Sequence, residues 1–106
     1  MTIQISSSLE LLVNRLVNRL KPTAIYLFGS QARGDAAEDS DYDLLVVLPD
    51  TSLPRHERES SAYDALWGLS APADVIVLTA TEFKESQQVA TSLASTVLRE
   101  GALLYG

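Results

Sequence analysis

Residues 40–47, SDYDLLVV, begin with two acidic side chains and continue as an almost wholly apolar run. The apolar run at residues 44–48 is continuous, not alternating, which is typical of a central strand covered on both faces. Aspartate is a poor strand former and is rarely buried without a partner. Placing Asp41 and Asp43 at the start of such a strand therefore requires an interaction that offsets the cost, and finding that interaction is the functional question.

The rest of the chain alternates helical and extended patterns around this strand. Apolar residues at helical spacing predict a helix over residues 9–20, and weaker helical patterns follow at residues 55–69 and 93–98. Residues 25–28 and 74–78 read as strands, residues 30–40 as a short helix or turn and a loop, and residues 102–105 as a final extended segment. Thr79 and Glu82 have the spacing of a capping box, and Gly101 is expected to cap the last helix. The alternation predicts an α/β (α+β) fold with a small sheet flanked by helices.

Composition limits the function classes. A chain of 106 residues is expected to form one domain, spanning residues 1–106. Its net charge of -6, without any run of Lys or Arg, argues against binding long nucleic acid, although metal ions could still hold a nucleotide. With no cysteine, no apolar stretch of membrane-spanning length and no signal-peptide pattern, we expect a cytoplasmic domain that does not enter a membrane.

Asp41 and Asp43 have the spacing of a metal site. Side chains two apart on a strand point to the same face, with Cα atoms roughly 6.6 Å apart. Two carboxylates so close disfavour each other's charge unless a cation lies between them, and Mg²⁺ accepts one or two carboxylates together with substrate phosphates. The alternative is that both acids cap the start of the strand in solvent.

The segment FGSQARG, residues 28–34, adds groups suited to phosphate. If the strands at residues 25–28 and 41–48 are antiparallel neighbours, Gly29 and Ser30 lie at the same sheet edge as the two acids. Gly29 would allow a backbone N–H to approach closely, and the Ser30 hydroxyl adds a donor. Arg33 could reach a phosphate, or it could equally pair with nearby acids of the following loop.

Asp74 is a third acid at the start of an apolar strand. If residues 55–69 form a crossover helix, the strands at residues 41–48 and 74–78 are parallel, and both begin at one edge. Asp74 would then join Asp41 and Asp43, either as a shared metal ligand or as the base for an attacking hydroxyl. The alternative is that Asp74 is a solvated residue with no role in a site, at the point where the chain passes from the loop into the strand. Tyr63 and Trp67 are expected in the core or at a protein interface, not as a base-stacking platform.

The pattern GSQARG, then SDYDLLV, with Asp74 in ADVIV, closely resembles the minimal nucleotidyltransferase (MNT) family of the DNA polymerase beta superfamily. The resemblance runs from about Ile25 to Tyr105. It implies a mixed sheet flanked by helices, and transfer of a nucleoside monophosphate from an NTP, ATP in the first instance, to a hydroxyl. It also implies two Mg²⁺ ions held by Asp41, Asp43 and Asp74.

Members of that family of similar size are often the antitoxins of helical HEPN proteins, which some of them modify with AMP. The resemblance therefore implies a HEPN-type partner as acceptor. Two alternatives remain: a non-catalytic module that masks a HEPN partner, and nucleotidyl transfer to a small molecule. A homo-oligomer is also compatible with the sequence. Position 31 is Gln where a basic residue is frequent in the family, which bears on phosphate binding more than on metal binding.

Overall fold

The computed structural model describes residues 7–33, 41–69 and 72–106, within which helices and strands alternate. The helices are α1 Ser7–Leu20, α2 Gly29–Arg33, α3 Arg55–Ala65, α4 Ala80–Ser86 and α5 Leu93–Glu100. The strands are β1 Ala24–Phe28, β2 Tyr42–Leu48, β3 Ala73–Thr79 and β4 Ala102–Tyr105. No helix in these described ranges combines the length and apolar character needed to span a bilayer.

The four strands form one mixed sheet in the order β3-β2-β1-β4. Strand β1 is antiparallel to β2 and to β4, whereas β2 and β3 are parallel and are joined through α3. The predicted fold class is confirmed, and so are the antiparallel pairing of the first two strands and the parallel pairing of the next two. The starts of β2 and β3 and the end of β1 therefore meet at one edge of the sheet.

Both faces of the sheet are covered, as the continuous apolar run in β2 predicts. Helices α1 and α3 pack on one face, against Leu44, Val46 and the inward side chains of β1 and β3. Helices α4 and α5 pack on the other face, against Leu45 and Val47. Because neighbouring residues of β2 point to opposite faces, five consecutive buried side chains divide between two cores.

The ends of α4 and α5 have the capping residues that the sequence predicts. The Thr79 hydroxyl accepts from the Glu82 N–H, and the Glu82 carboxylate accepts from the Thr79 N–H at 2.8 Å, which completes the predicted capping box. Gly101 caps α5 as predicted, but its backbone is extended, with φ -85°. A Cβ there would lie 2.7 Å from the Leu27 carbonyl oxygen, so glycine is needed for close packing and not for a left-handed turn.

The predicted helix at residues 55–69 ends early. Helix α3 stops at Ala65, and residues 66–68 form a turn in which Gly68 has a φ of +85°. The N–H of Trp67 donates to the Asp64 carbonyl at 3.2 Å, a tightened last turn that commonly ends helices. Trp67 therefore leaves the helix axis near the sheet edge where β3 begins.

Candidate active site

Asp43 and Asp74 are direct register partners in the parallel pair of β2 and β3. Neighbouring strands lie about 4.8 Å apart, so the backbone holds these two carboxylates side by side. Their neighbours Leu44 and Val75 point into the core formed with α1 and α3. By strand alternation, Asp43 and Asp74 project from the opposite face, the one that carries α4 and α5.

Asp41 lies one residue ahead of β2 and is exposed, whereas Asp43 is half-buried and Asp74 is exposed. The N–H of Tyr42, between the two acids, donates to the Pro72 carbonyl at 3.1 Å and joins the start of β2 to the chain just before β3. The structure thus brings the three predicted acids to one sheet edge, with Asp43 and Asp74 fixed by the ladder and Asp41 at its margin.

Gly29 packs directly against the Asp43 carboxylate. Its φ of +74° is a left-handed conformation that suits glycine, and it forms the first residue of α2. A Cβ at this position would overlap Asp43 Oδ2 and lie 3.1 Å from Asp43 Cγ. Phe28, the residue before it, is the register partner of Asp43 across the antiparallel pair. The structure shows Gly29 leaving room for the Asp43 carboxylate. The close approach of its backbone N–H to a phosphate stays a prediction.

Ser30 and Arg33, the other predicted phosphate-binding residues, belong to α2 by backbone position. Gly29 is the first residue of α2, so Ser30 is one residue from the contact with Asp43. The side chains of Ser30 and Arg33 lie outside the described part of the structure, as do residues 34–40, so their assignment to phosphate stays a prediction.

The carboxylates at this edge of the sheet have the donor chemistry that Mg²⁺ requires. Among the described residues, no three His, Cys, Asp or Glu side chains are close enough together to form a complete metal cage. Mg²⁺ does not need one, because it binds through one or two carboxylates and fills its remaining positions with water and substrate phosphates. Paired Asp43 and Asp74, with Asp41 beside them, supply only hard oxygen donors and fit that requirement.

Sequence reasoning missed one structural link to the site. The Tyr63 hydroxyl accepts a hydrogen bond from the Val75 N–H at 3.0 Å, on the outer side of the edge strand β3. This contact ties α3 to the peptide unit that directly follows Asp74. Nothing in the spacing of residues 55–69 signals it, because the partner lies across a crossover connection.

A cleft of about 360 Å³ lies at the other end of the sheet. It is lined by side chains of the α1 end, the β2 end and α3, among them Arg19, Leu48, Asp50, Thr51, Arg58 and Ser61. Leu48 is five residues from Asp43 along β2, which corresponds to roughly 16 Å. The cleft is therefore separate from the acidic edge, and the fold places no predicted site residue in it.

The fold places carboxylates at the start of two parallel strands, beside the glycine that follows β1. Residues 9–103 match the nucleotidyltransferase domain family. The chain belongs to this family and is a nucleotidyltransferase, which confirms the resemblance seen in the sequence.

Solved structures agree with this assignment. A chain of a toxin–antitoxin solved with AMP-PNP superposes with a TM-score of 0.68 at 25% identity, covering 95% of this chain and 74% of that one. A chain of the toxin–antitoxin MntA–HepT gives a TM-score of 0.57 at 25% identity, with 90% and 67% covered. A protein from Sulfolobus solfataricus, at 23% identity, shares the fold with a TM-score of 0.56 over 97% of this chain and 90% of its own. No curated protein sequence matches significantly.

Proposed function

We propose that this protein transfers AMP from ATP to a hydroxyl group of a HEPN-type partner protein, with Mg²⁺ held by Asp41, Asp43 and Asp74. The observation that carries the proposal is the register pairing of Asp43 with Asp74 at the edge where Gly29 meets Asp43. Support for the nucleotide and the partner comes from two of the structural neighbours, which are toxin–antitoxin structures, one of them with AMP-PNP.

Bound Mg²⁺ would neutralise the phosphate charge and favour in-line displacement. The chain's own part is to position the reactants, since phosphoryl transfer depends mainly on placement and electrostatics. Asp41 and Asp43, with Asp74 on the side of the acceptor, would hold the cation, and Gly29 keeps the Asp43 carboxylate in place. The N–H and hydroxyl groups of Ser30, with the Arg33 guanidinium, are assigned to the phosphates.

Asp74 is assigned to the acceptor. The acceptor oxygen forms a bond to the α-phosphorus while the bond from that phosphorus to the bridging oxygen breaks, and pyrophosphate leaves with the electron pair. The proton of the acceptor hydroxyl passes to an Oδ atom of Asp74. Strand β3 is at the edge of the sheet and Asp74 is exposed, so a hydroxyl that another protein presents can reach it.

The proposal is tested by incubating the protein with Mg²⁺, ATP and a HEPN-type protein from an adjacent reading frame, and measuring the mass of the partner by intact mass spectrometry. We expect one or more AMP units on the partner. The Asp74→Asn variant should still form the complex but add almost nothing. A complex that forms without any mass change with each of the four NTPs would instead establish a masking module.

A further inference from the structure

Trp67 is the one tryptophan of the chain, and its side chain is 85% exposed. It lies in the turn after α3, next to Gly68, at which a Cβ would meet nothing within 4 Å. The expectation that Trp67 could belong to the core is wrong, because the helix ends before this residue and turns it into solvent. Tryptophan is highly buried on average in folded proteins, so this degree of exposure is unusual.

Tyr63, one helical turn earlier, is also 45% exposed although its hydroxyl is bonded to the Val75 N–H. The hydrogen bond to Val75 places the Tyr63 ring beside the edge strand that carries Asp74. Trp67 follows four positions later, in the turn after the helix. We name Tyr63, Asp64 and Trp67 the aromatic patch.

The charge of the aromatic patch is negative. Asp64 is exposed between the two aromatic residues, and no cationic side chain of the described ranges pairs with it. Indole and phenol faces attract guanidinium and ammonium groups, an attraction that an adjacent carboxylate strengthens. The whole chain has a net charge of -6, which adds a long-range attraction for a basic partner and repels a second copy.

The aromatic patch and the acids lie beside β3 on opposite faces of the sheet. Helix α3 packs on the face that carries α1, whereas Asp43 and Asp74 project from the opposite face. A single nucleotide bound at the acids would lie on one side of the sheet. A protein surface can cross the edge and contact both sides at once.

We infer that the aromatic patch is the docking site for an arginine- or lysine-bearing segment of the acceptor protein, whose hydroxyl is thereby brought to Asp74. This inference rests on the proposed function for the identity of the acceptor. Tyrosine, tryptophan and arginine are the residues that dominate binding energy at protein interfaces, and here the chain supplies both aromatic members.

The chemistry of the patch is tested first without any acceptor. The intact protein is titrated with a tetra-arginine peptide, and the emission of Trp67 is followed; a tetra-citrulline peptide of the same shape is the control. We expect a saturable change with arginine only, weakened by raising the salt concentration. Asp64→Asn should raise the half-saturating concentration about threefold or more, while Glu85→Gln on α4 should not change it. No change with arginine, or an equal change with citrulline, overturns the inference.

The role in docking is tested with the HEPN-type acceptor. Trp67→Ala should raise the half-saturating acceptor concentration at least tenfold and that of ATP less than twofold, and Trp67→Phe should recover part of the loss. Leu98→Ala, a matched change at a 48% exposed apolar residue on α5, should have no effect. If Trp67→Ala raised the half-saturating concentration of ATP more than that of the acceptor, the aromatic patch would be assigned to binding the adenine base of ATP instead. If the wild type modifies no acceptor, the proposed function fails. The peptide titration still shows whether the aromatic patch binds arginine side chains.

Discussion

Gly29 has a left-handed backbone and no side chain, and its lack of a Cβ leaves room for the Asp43 carboxylate. A methyl group there must move the carboxylate or the start of α2. Because α2 is short and Phe28 is fixed in the sheet by pairing with Asp43, either shift destabilises the folded protein.

Gly29→Ala is therefore expected to lower the free energy of unfolding by about 2 to 3 kcal/mol and to reduce nucleotidyl transfer strongly. Backbone strain alone accounts for about 1 to 2 kcal/mol of that loss. Gly68→Ala is the matched control, since Gly68 also has a positive φ but open space around its Cβ position. Urea denaturation of both variants separates the two contributions, and equal losses would show that the contact with Asp43 costs nothing.

Asp43→Asn should abolish transfer and leave the fold intact, with a melting temperature equal to or slightly above the wild type when no metal is present. The reason is that asparagine removes the like-charge repulsion between position 43 and its register partner Asp74. Added Mg²⁺ and ATP should then raise the melting temperature of the wild type but not of the variant. Transfer near the wild-type rate in Asp43→Asn would remove Asp43 from the site.

The site was predictable to the extent that it rests on local spacing. Asp41, Asp43 and Asp74 each precede an apolar run, and the run itself shows that a strand begins there. Contacts between residues of different elements are not indicated by any local sequence pattern. The partner of Gly29 is a side chain from the next strand, and the partner of Tyr63 is a backbone N–H beyond a crossover.

Among the elements, α3, β3 and α4 are held together by one buried cation. The Arg58 side chain is 5% exposed and donates to the Glu82 carboxylate at 2.7 Å, to the Leu53 carbonyl at 3.1 Å and to the Val77 carbonyl at 3.4 Å. Glu82 serves the capping box of α4 at the same time. The sequence places Arg55 and Arg58 in one charged helix start, and nothing in it shows which of the two is buried.

Glu82→Gln should therefore destabilise the protein at pH 7 by about 2 kcal/mol, since it leaves the buried guanidinium without its counter-charge. The hydrogen bond from Arg58 lowers the pKa of Glu82 from 4.5 to about 2. A depressed pKa gives stability that is complete above pH 4.5 and is lost as the pH falls towards 2. Partial exposure of Glu82 screens the pair, so this acid-sensitive part is on the order of 1 kcal/mol.

The measurement is urea denaturation of wild type and Glu82→Gln between pH 7 and pH 2.5. The difference in stability between the two proteins should narrow as the pH falls below 4.5. Glu85→Gln, an exposed change on the same helix, should match the wild type throughout. A constant difference at every pH would assign the loss to packing and not to the charge pair.

On the scale of the whole molecule, one sheet separates two cores that cannot form independently. Alternate side chains of β2 enter the core with α1 and α3 and the core with α4 and α5, so loss of one core exposes the strand that supports the other. Two layers of helices on a shared sheet are expected to behave as one domain.

We therefore expect a single cooperative unfolding transition for residues 1–106. Circular dichroism at a helix wavelength and at an aromatic wavelength should give coincident urea curves. Separate midpoints would divide the chain into two folding units and contradict the one-domain prediction. Mg²⁺ with ATP should shift both curves together, because binding to the folded state stabilises the whole unit.

Strand β4 has only four residues and occupies the outer edge of the sheet, where it pairs with β1 across an irregular register at Ile25 and Tyr26. The pairings of β1 with β2 and of β2 with β3 join segments that follow one another, whereas β4 comes from the far end of the sequence. Loop-closure entropy makes the most distant pairing the costliest to form. The three-strand sheet should thus assemble first during folding, with β4 adding last and opening first, so that its amides exchange with deuterium well before those of β2.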